Sequence, residues 1–328
     1  MARTTESANE HDAGQDFKSL PAVYQVEATS HCNLRCPMCH RTDGMRRRPQ
    51  FLDLALLRLM HHRGDFAGTG YVEIQMAGEP TLHPGVLELL RILQRDVGLL
   101  VGMSTHGNTI GVVPAALEAA CTVDHLTVSV DSVDPAQYER LRRPATLDGL
   151  LRSLGVLHDR LARAREAGGP VPHVELQVVR TDVAGPSRGT DDLLLLVKDR
   201  GWGDLFDVVS IGDCFREVQG RSPPGSTRRN HDLCLNPFQT VSVTAAGDVV
   251  SCCYVFEPSR ESVNWYGNLW HQSLADIWAG PRVAEMRRMQ QAGESRDYCG
   301  SCYLRSPVEI HHAIQARLVQ STRGGGRR

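Results

Sequence analysis

Short apolar runs alternate with longer amphipathic segments over the first two thirds of this 328-residue chain. Continuous apolar runs are typical of strands that a parallel sheet buries on both faces, and apolar residues at helical spacing predict helices between them. The six predicted strands are VYQVEA (23–28), YVEIQM (71–76), LLVGMS (99–104), HLTVSV (125–130), HVELQVV (173–179) and LFDVVSI (205–211). The predicted helices are LDLALLRLMHH, VLELLRILQRD, VPAALEAAC, LDGLLRSLGVLHDRLARAREAG and DDLLLLVKDRG. This order predicts an α/β fold with a parallel sheet, open or curled into a barrel, and chemistry at the carboxyl ends of the strands.

The alternating pattern ends near residue 215. The stretch GRSPPGSTRRN is typical of a connector. After it, FQTVSVT and DVVSC flank AAGD, which predicts a hairpin, and YGNLWHQSLADIWAG predicts the end of a strand followed by the start of a helix. The predicted organisation is a disordered start (1–19), a barrel domain (20–215), a linker (216–233), a small Cys-rich domain (234–318) and a disordered tail (319–328).

Composition and charge limit the possible partners and the cellular compartment. A net charge of −2 gives no sign of a surface for nucleic acid or an anionic membrane. No apolar run reaches membrane-spanning length, and the polar first residues lack the apolar core of a signal peptide, so we expect a cytoplasmic protein. Structural disulfides are rare in a reducing cytosol, so the ten cysteines need another explanation. Cys121, in an Ala-rich helical stretch, is predicted to be a packing thiol, whereas eight of the other nine fall into two groups.

The first group follows the first predicted strand. Cys32, Cys36 and Cys39 have the spacing C-x3-C-x2-C, at the predicted mouth of the sheet. Four thiolates complete a zinc site or a [4Fe-4S] cluster, whereas three leave one metal position open for another ligand. The alternative is a zinc site that His31 or His40 completes.

This spacing directly after a first strand resembles that of the radical S-adenosylmethionine (SAM) superfamily. The resemblance implies a partial (β/α)6 parallel barrel and a [4Fe-4S] cluster on Cys32, Cys36 and Cys39, with SAM chelating the fourth iron. It also implies that an electron reaches SAM through this cluster and that a 5'-deoxyadenosyl radical removes a hydrogen atom from the substrate. The stretch MAGEP (76–80) resembles the Gly-Gly-Glu-Pro motif of the family, with Ala77 in place of the first glycine. By this resemblance Ala77, Gly78 and Glu79 bind the SAM amino group, with Glu79 as an acceptor.

Further SAM contacts are expected at the ends of later strands. The third strand ends in STHGN, where Ser104, Thr105 and Asn108 are candidates to contact SAM or substrate. The fourth ends in SVDS, where Ser129 and Asp131 match polar positions that the family uses near the methionine and ribose. Asp131 is equally well explained as a helix or turn cap in DSVDPAQYER. Met38 stands where the family often has an aromatic residue, and its thioether is expected to lie against adenine.

The second group defines the subclass. Cys234 and Cys252 enclose seventeen residues, and Cys299 and Cys302 form a C-x2-C pair. This order resembles the twitch domain, a shortened form of the SPASM auxiliary domain of radical SAM enzymes. The resemblance implies that these four cysteines hold one auxiliary [4Fe-4S] cluster with no open position, suited to electron transfer or structure. Zinc is the alternative for this second site.

The remaining thiols bear on the reaction. An auxiliary cluster that accepts the electron of a substrate radical gives a dehydrogenase, and a thiol that donates a hydrogen atom from the opposite face gives an epimerase. Cys253, beside a cluster ligand, and Cys214, just beyond the sixth strand, are the candidate catalytic thiols, and packing is the alternative for both. Asp213, Arg216 and Glu217 are alternative polar groups for binding hydroxyls or accepting a proton.

Substrate and partners follow only from the resemblance. The chain resembles short twitch enzymes that act on aminocyclitols and aminoglycosides, so we expect an amino-sugar substrate, with a ribosomal peptide as the runner-up. The spare thiols favour an epimerase over a dehydrogenase. The carboxylates of Glu27, Glu79, Asp131 and Asp213 are candidates for its ammonium groups. An external one-electron donor such as flavodoxin or ferredoxin is expected, with no nucleic-acid or membrane partner. An activator of a partner protein and a non-catalytic zinc-binding module are the remaining alternatives.

Overall fold

A computed structural model describes residues 20–180, 190–213, 234–294 and 299. The strands are β1 (Val23–Val26), β2 (Tyr71–Ile74), β3 (Leu100–Thr105), β4 (His125–Ser129), β5 (His173–Arg180), β6 (Val208–Asp213), β7 (Thr240–Val243), β8 (Asp248–Val250) and β9 (Trp265–Asn268). The helices are α1 (His40–Gly44), α2 (Leu54–Arg63), α3 (Val86–Arg91), α4 (Pro114–Thr122), α5 (Pro135–Leu141), α6 (Leu147–Glu166), α7 (Thr190–Asp199), α8 (Asn236–Gln239), α9 (Leu274–Trp278) and α10 (Pro281–Gln291). Within the described ranges, no helix has the length and apolar character needed to cross a membrane.

All nine strands belong to one sheet, in the order β6-β5-β4-β3-β2-β1-β7-β8-β9. Strands β1 to β6 pair in parallel in chain order, and a helix follows each of the first five. The predicted α/β fold with six parallel strands alternating with helices is therefore confirmed. The carboxyl ends of the six strands lie at one edge, where a parallel sheet carries its functional side chains.

The Cys-rich hairpin continues this sheet. Strand β7 pairs in parallel with β1, with Val23 opposite Thr240 and Val26 opposite Val243, and β8 and β9 follow antiparallel. The predicted turn lies between β7 and β8, where Gly247 has a φ of 83° and Gly247 N donates to Thr244 O. The sequence predicted the hairpin but not its pairing with the first strand. The loop after β8 reaches the segment after β1, where Arg47 Nε donates to Phe256 O.

Alternation along the strands separates two faces. Val72, Ile74, Val101, Met103 and Val128 are fully buried in the core that the helices cover. The residues between them are mostly polar and point to the inner face of the curved sheet, because successive side chains alternate in a strand. The helices bury the outer face, so the inner face is left for ligands.

Local hydrogen bonds explain where several elements begin. Asp53 caps α2 by accepting from Ala55 N, and Thr146 caps α6 by accepting from Gly149 N. Strand β6 begins at Val208, three residues later than LFDVVSI predicts. Asp207, directly before it, donates from N to Val174 O, and its side chain accepts from Val174 N. Helix α3 continues as a π-helical turn over Ile92–Val97, which the sequence did not indicate.

Candidate active site

The loop after β1 carries the first cysteine group. Cys39 N donates to Cys36 O and Leu34 N approaches Cys32 Sγ at 3.4 Å, so the loop folds tightly around its thiols. Burial raises the pKa of Cys32 to about 12 and raises that of Cys36, which the nearby Arg142 guanidinium partly offsets. Arg41 Nε donates to Ser30 O and anchors the helix that follows. The thiols are therefore partly shielded from water and close to fixed positive charge.

The three cysteines line one cavity of about 280 Å³ at the carboxyl ends of the strands. Every predicted SAM-binding residue lines the same cavity: Met38, Ala77, Gly78, Glu79, Ser104, Ser129 and Asp131. Thr105, also expected there, lines the cavity too, as does His40, named above only as an alternative zinc ligand. Other residues of the wall were not predicted: Leu34, Arg41, Thr42, Gln75, Met76, His106, Arg142, Tyr254 and Phe256. Of these, only Gln75 could have been predicted from the sequence, because it lies directly before the MAGEP stretch and continues the inward-facing alternation of β2. The assignment of SAM to the predicted residues stays a prediction.

Gly78 lies in a space with no room for a side chain. A Cβ atom there would lie 2.0 Å from Thr29 O and 2.6 Å from His31 O. Glu79 N donates to His31 O, which fixes this segment against the start of the cysteine loop. Two backbone segments therefore meet at Gly78, as required where polar backbone groups must approach a ligand closely.

The carboxylate of Glu79 is fully occupied by this chain. Oε1 accepts from Thr81 N and from the hydroxyls of Thr81 and Thr105, and Oε2 accepts from His106 N. His106 Nε2 lies 3.3 Å from Oε2 as well. Binding of the SAM ammonium by Glu79 stays a prediction. It requires a carboxylate oxygen of Glu79 to accept from the ammonium in addition to the donors that it already has.

Asp131 forms a buried ion pair and does not cap the following helix. Its Oδ2 lies 2.6 Å from Arg142 Nη2, with both side chains largely buried, and its φ of 64° is left-handed. The alternative of a helix cap was wrong, because Asp134 accepts from Gln137 N and caps α5. Asn108, expected near SAM, instead lies on a second cavity and donates to Tyr138 Oη.

The remaining predicted acceptors of substrate ammonium groups are also paired. Glu27 is fully buried, and its Oε1 accepts from Ala245 N. Arg47 Nη2 lies 2.8 and 2.6 Å from its two oxygens. Glu79 is hydrogen-bonded within this chain and Asp131 is paired with Arg142, so all three carboxylates already have partners. Their role as acceptors for an amino sugar stays a prediction. The side chain of Asp213 lies outside what the structure describes.

Three of the four predicted auxiliary ligands surround Tyr266. The pKa of this buried phenol is raised by burial first, and then by the charges of Cys299, Cys234 and Cys252. Within the described residues the Tyr266 hydroxyl has no hydrogen-bond partner, and Asn264 Nδ2 approaches Cys299 Sγ at 3.4 Å. Cluster sulfurs accept hydrogen bonds, so an unpaired donor among three thiols fits an iron–sulfur cluster. Cys302, the fourth predicted ligand, lies outside the described residues.

The two candidate catalytic thiols differ in what the structure shows. Cys253 lines the main cavity together with Cys32, Cys36 and Cys39. Its neighbour Cys252 belongs to the group around Tyr266, so one short loop contributes to both sites. Cys214, with Arg216 and Glu217, lies outside the described residues.

The zinc alternatives require ligands that converge on one ion. Among the described residues, no group of three or more His, Cys, Asp or Glu side chains is arranged to hold a single metal ion. His31 stacks on Phe51, with ring centroids 4.4 Å apart, and is not part of the cavity wall. A cluster binds each thiolate to a different iron atom, so its ligands lie further apart than those of zinc.

Family models match both parts of the chain. Residues 26–174 match the radical SAM superfamily, and residues 234–303 match the SPASM iron–sulfur cluster-binding domain. The chain belongs to the radical SAM superfamily. Its cofactors are therefore SAM and two [4Fe-4S] clusters, as the cysteine groups predicted.

Relatives of this radical SAM protein have different activities in their names. The mitochondrial GTP 3',8-cyclase of Arabidopsis thaliana is 29% identical over 140 residues, which are 42% of this chain and 36% of that protein. The chain thus spans about a third of the length of this relative. The tungsten-containing aldehyde ferredoxin oxidoreductase cofactor-modifying protein of Pyrococcus furiosus is 24% identical over 87% of this chain and 88% of its own length.

A solved structure shares the fold. BtrN in complex with AdoMet and 2-DOIA superimposes with a TM-score of 0.51 and 17% identity, over 84% of this chain and 89% of BtrN. Identity at this level shows the fold alone.

Proposed function

We propose that this radical SAM enzyme abstracts a hydrogen atom from a carbon of an aminocyclitol or aminoglycoside and inverts that carbon. One observation carries the proposal: the thiol-bearing Cys253 lines the same cavity as the three cysteines of the SAM-binding cluster. Cys32, Cys36 and Cys39 approach this cavity from the loop after β1, and Cys253 approaches from the loop after β8. A substrate between the two loops has access to a hydrogen-atom acceptor and a separate donor.

The chemistry divides between cofactor and protein. When bound, SAM and its cluster supply the 5'-deoxyadenosyl radical that removes the substrate hydrogen. Gly78, Ser104 and Ser129 orient SAM, and Asp131 holds Arg142 over the cavity. Cys253 then donates its thiol hydrogen atom to the opposite face of the carbon, so that one S–H bond breaks and one C–H bond forms. The resulting thiyl radical takes one electron from an external one-electron donor and one proton from water, and the thiol is restored.

The inner face of the sheet supports a polyhydroxylated substrate. Ser104, on the cavity wall, donates from Oγ to Glu73 Oε1 at 2.7 Å. Ser129 Oγ lies 3.3 Å from Gln177 Oε1. Hydroxyl and amide groups that form such pairs can exchange a partner for a sugar hydroxyl at little cost, whereas an apolar substrate would leave them unpaired.

A dehydrogenase is the second candidate, and Cys252 is the observation that favours it. This predicted auxiliary ligand is the direct neighbour of the cavity-lining Cys253. An electron from a substrate radical would therefore have a short path to the auxiliary cluster, while the hydroxyl proton leaves to a base and a ketone forms.

Turnover in heavy water with a panel of aminoglycosides separates these reactions. For the epimerase, we expect the wild-type product to keep its composition and gain one deuterium at the inverted carbon. We expect Cys253→Ala to form 5'-deoxyadenosine without inverted product, because no hydrogen atom reaches the opposite face. A product lacking two hydrogens would establish the dehydrogenase instead.

Cys121→Ala is the matched control, since Cys121 lies on α4 and packs against the core. It should invert like the wild type. Normal inversion by Cys253→Ala would overturn the assignment of Cys253, and loss of inversion in Cys214→Ala would transfer the role to Cys214.

A further inference from the structure

We propose that a groove beside the first cysteine loop is the docking surface for an acidic one-electron carrier protein. The groove has a volume of about 460 Å³, and its wall includes Asn33, Leu34, Pro144, Ala145, Arg152 and Val156. It adjoins the cavity that SAM and substrate would enter, because Leu34 belongs to both walls. The proposal rests on the proposed function only in requiring a reducible cluster on Cys32, Cys36 and Cys39.

Leu34 connects the groove to the cluster ligands. Its side chain forms part of the groove wall and also packs in a small apolar cluster with Cys36, Met38 and Leu141. Leu34 is 4% exposed and Cys36 is 7% exposed, so one layer of side chains separates the groove from a cluster ligand. Electron transfer between proteins falls steeply with distance, which makes this thin wall the favourable point of entry.

The rim of the groove carries positive charge. Arg35 and Arg143 are both exposed, and Arg35 N donates to Arg143 O at 2.6 Å, so the two residues lie side by side. No described carboxylate pairs with either guanidinium. Arg152, on the groove itself, forms an exposed pair with Asp148. Two cations with no carboxylate partner in the described part of the chain, next to the residue that packs on Cys36, favour an acidic partner, because complementary charge steers association.

The groove also offers apolar contact area. Val112 and Val156 belong to its wall and are 76% and 39% exposed. An apolar patch with a polar, charged rim is the usual anatomy of a protein interface. A substrate bound here would not contact Cys253, which lines the main cavity and not the groove. A second copy of this chain would bring its own Arg35 and Arg143 against like charges.

The test compares two reductants of the reconstituted, two-cluster enzyme. A reduced flavodoxin of acidic net charge must dock, whereas dithionite reduces the cluster without docking. Cluster reduction is followed by stopped-flow absorbance at low salt, together with SAM cleavage under dithionite. The variants are Arg35→Glu/Arg143→Glu and Val112→Asp, and the matched control is Arg95→Glu. Arg95 is exposed near the start of β3, at the opposite end of the sheet.

We expect the double variant to be reduced by flavodoxin about tenfold more slowly than the wild type, because removal of rim charge mainly lowers the association rate. Val112→Asp should slow the same step, and Arg95→Glu should leave it unchanged. Dithionite-driven SAM cleavage should stay within about twofold of the wild type in all variants. If the wild-type cluster is reduced but SAM is not cleaved, the proposed function is contradicted and the docking surface is not.

Three results would overturn the docking proposal. The first is an unchanged flavodoxin rate in the double variant and in Val112→Asp, both with full iron content. The second is equal slowing by Arg95→Glu, which would show a general charge effect. The third is a wild-type rate that does not fall with added salt. If the double variant loses iron, Val112→Asp alone tests the docking surface. Val112 is largely exposed and distant in sequence from the cluster ligands, so its replacement should leave the cluster intact.

Discussion

Arg47 Nη2 lies 2.8 Å from Glu27 Oε1 and 2.6 Å from Glu27 Oε2. The same guanidinium donates from Nε to Phe256 O at 2.7 Å, and Arg47 N donates to Glu257 Oε1. This arginine therefore joins the end of β1 to the loop that bears Cys253. It determines where the candidate thiol lies relative to the SAM-binding cluster, although it does not line the cavity.

Arg47→Met should destabilise the fold strongly. The change leaves the fully buried Glu27 carboxylate without its cation, and breaking a buried pair costs on the order of 3 kcal/mol. Chemical denaturation of the cluster-loaded protein measures the change in the free energy of unfolding. Glu27→Gln/Arg47→Met should recover part of the loss, because no buried charge is then uncompensated.

The control for this pair is Arg58→Met, which breaks an exposed pair with Glu88 and should cost at most about 1 kcal/mol. Equal destabilisation by Arg47→Met and Arg58→Met would show that Arg47 does not hold the two loops together.

Gly78→Ala should weaken SAM binding by at least about tenfold, since a Cβ atom 2.0 Å from Thr29 O must displace backbone at the cavity wall. Gly70→Ala is the control, because nothing lies within 4 Å of a Cβ atom built there. Equilibrium dialysis with labelled SAM on iron-loaded protein measures both. Wild-type affinity in Gly78→Ala would remove this backbone segment from the SAM site.

Asp131→Ala should be less stable than Asp131→Asn. The φ of 64° at this position is left-handed, which asparagine tolerates and alanine does not, at a cost of roughly 1 kcal/mol. Both changes remove the ion pair with Arg142, but asparagine can still accept a hydrogen bond from that guanidinium, so the two are compared in an Arg142→Met background, where their difference isolates the backbone. Denaturation midpoints give the comparison, and equal midpoints would contradict a strained backbone at Asp131.

Glu73→Gln should stabilise the protein more at high pH than at low pH. Burial raises the pKa of Glu73, so folding favours its protonated form and the wild type loses stability as the pH rises through that pKa. The amide removes this loss. The melting temperature of the variant should therefore exceed that of the wild type by more at about pH 8 than at about pH 5. A difference that does not grow with pH would contradict the raised pKa.

The sequence predicted what local pattern and ligand spacing determine. Continuous apolar runs predicted all six parallel strands, and the cysteine spacing predicted both cluster sites, which family models confirm. The pairing of β7 with β1 was not predictable, because it joins segments over two hundred residues apart. Arg142 and Arg47 were missed for the same reason, since only the fold places them beside Asp131 and Glu27.

The central claim is that one cavity lies beside two clusters, one with an iron open to SAM and one fully ligated by cysteine. Iron, sulfide and zinc analysis of anaerobically reconstituted protein tests it most directly, with the wild type beside the Cys32→Ala/Cys36→Ala/Cys39→Ala variant. We expect about eight irons per chain in the wild type and about four in the variant, with no zinc in either. About four irons falling to none, with zinc retained in the second site, would contradict it.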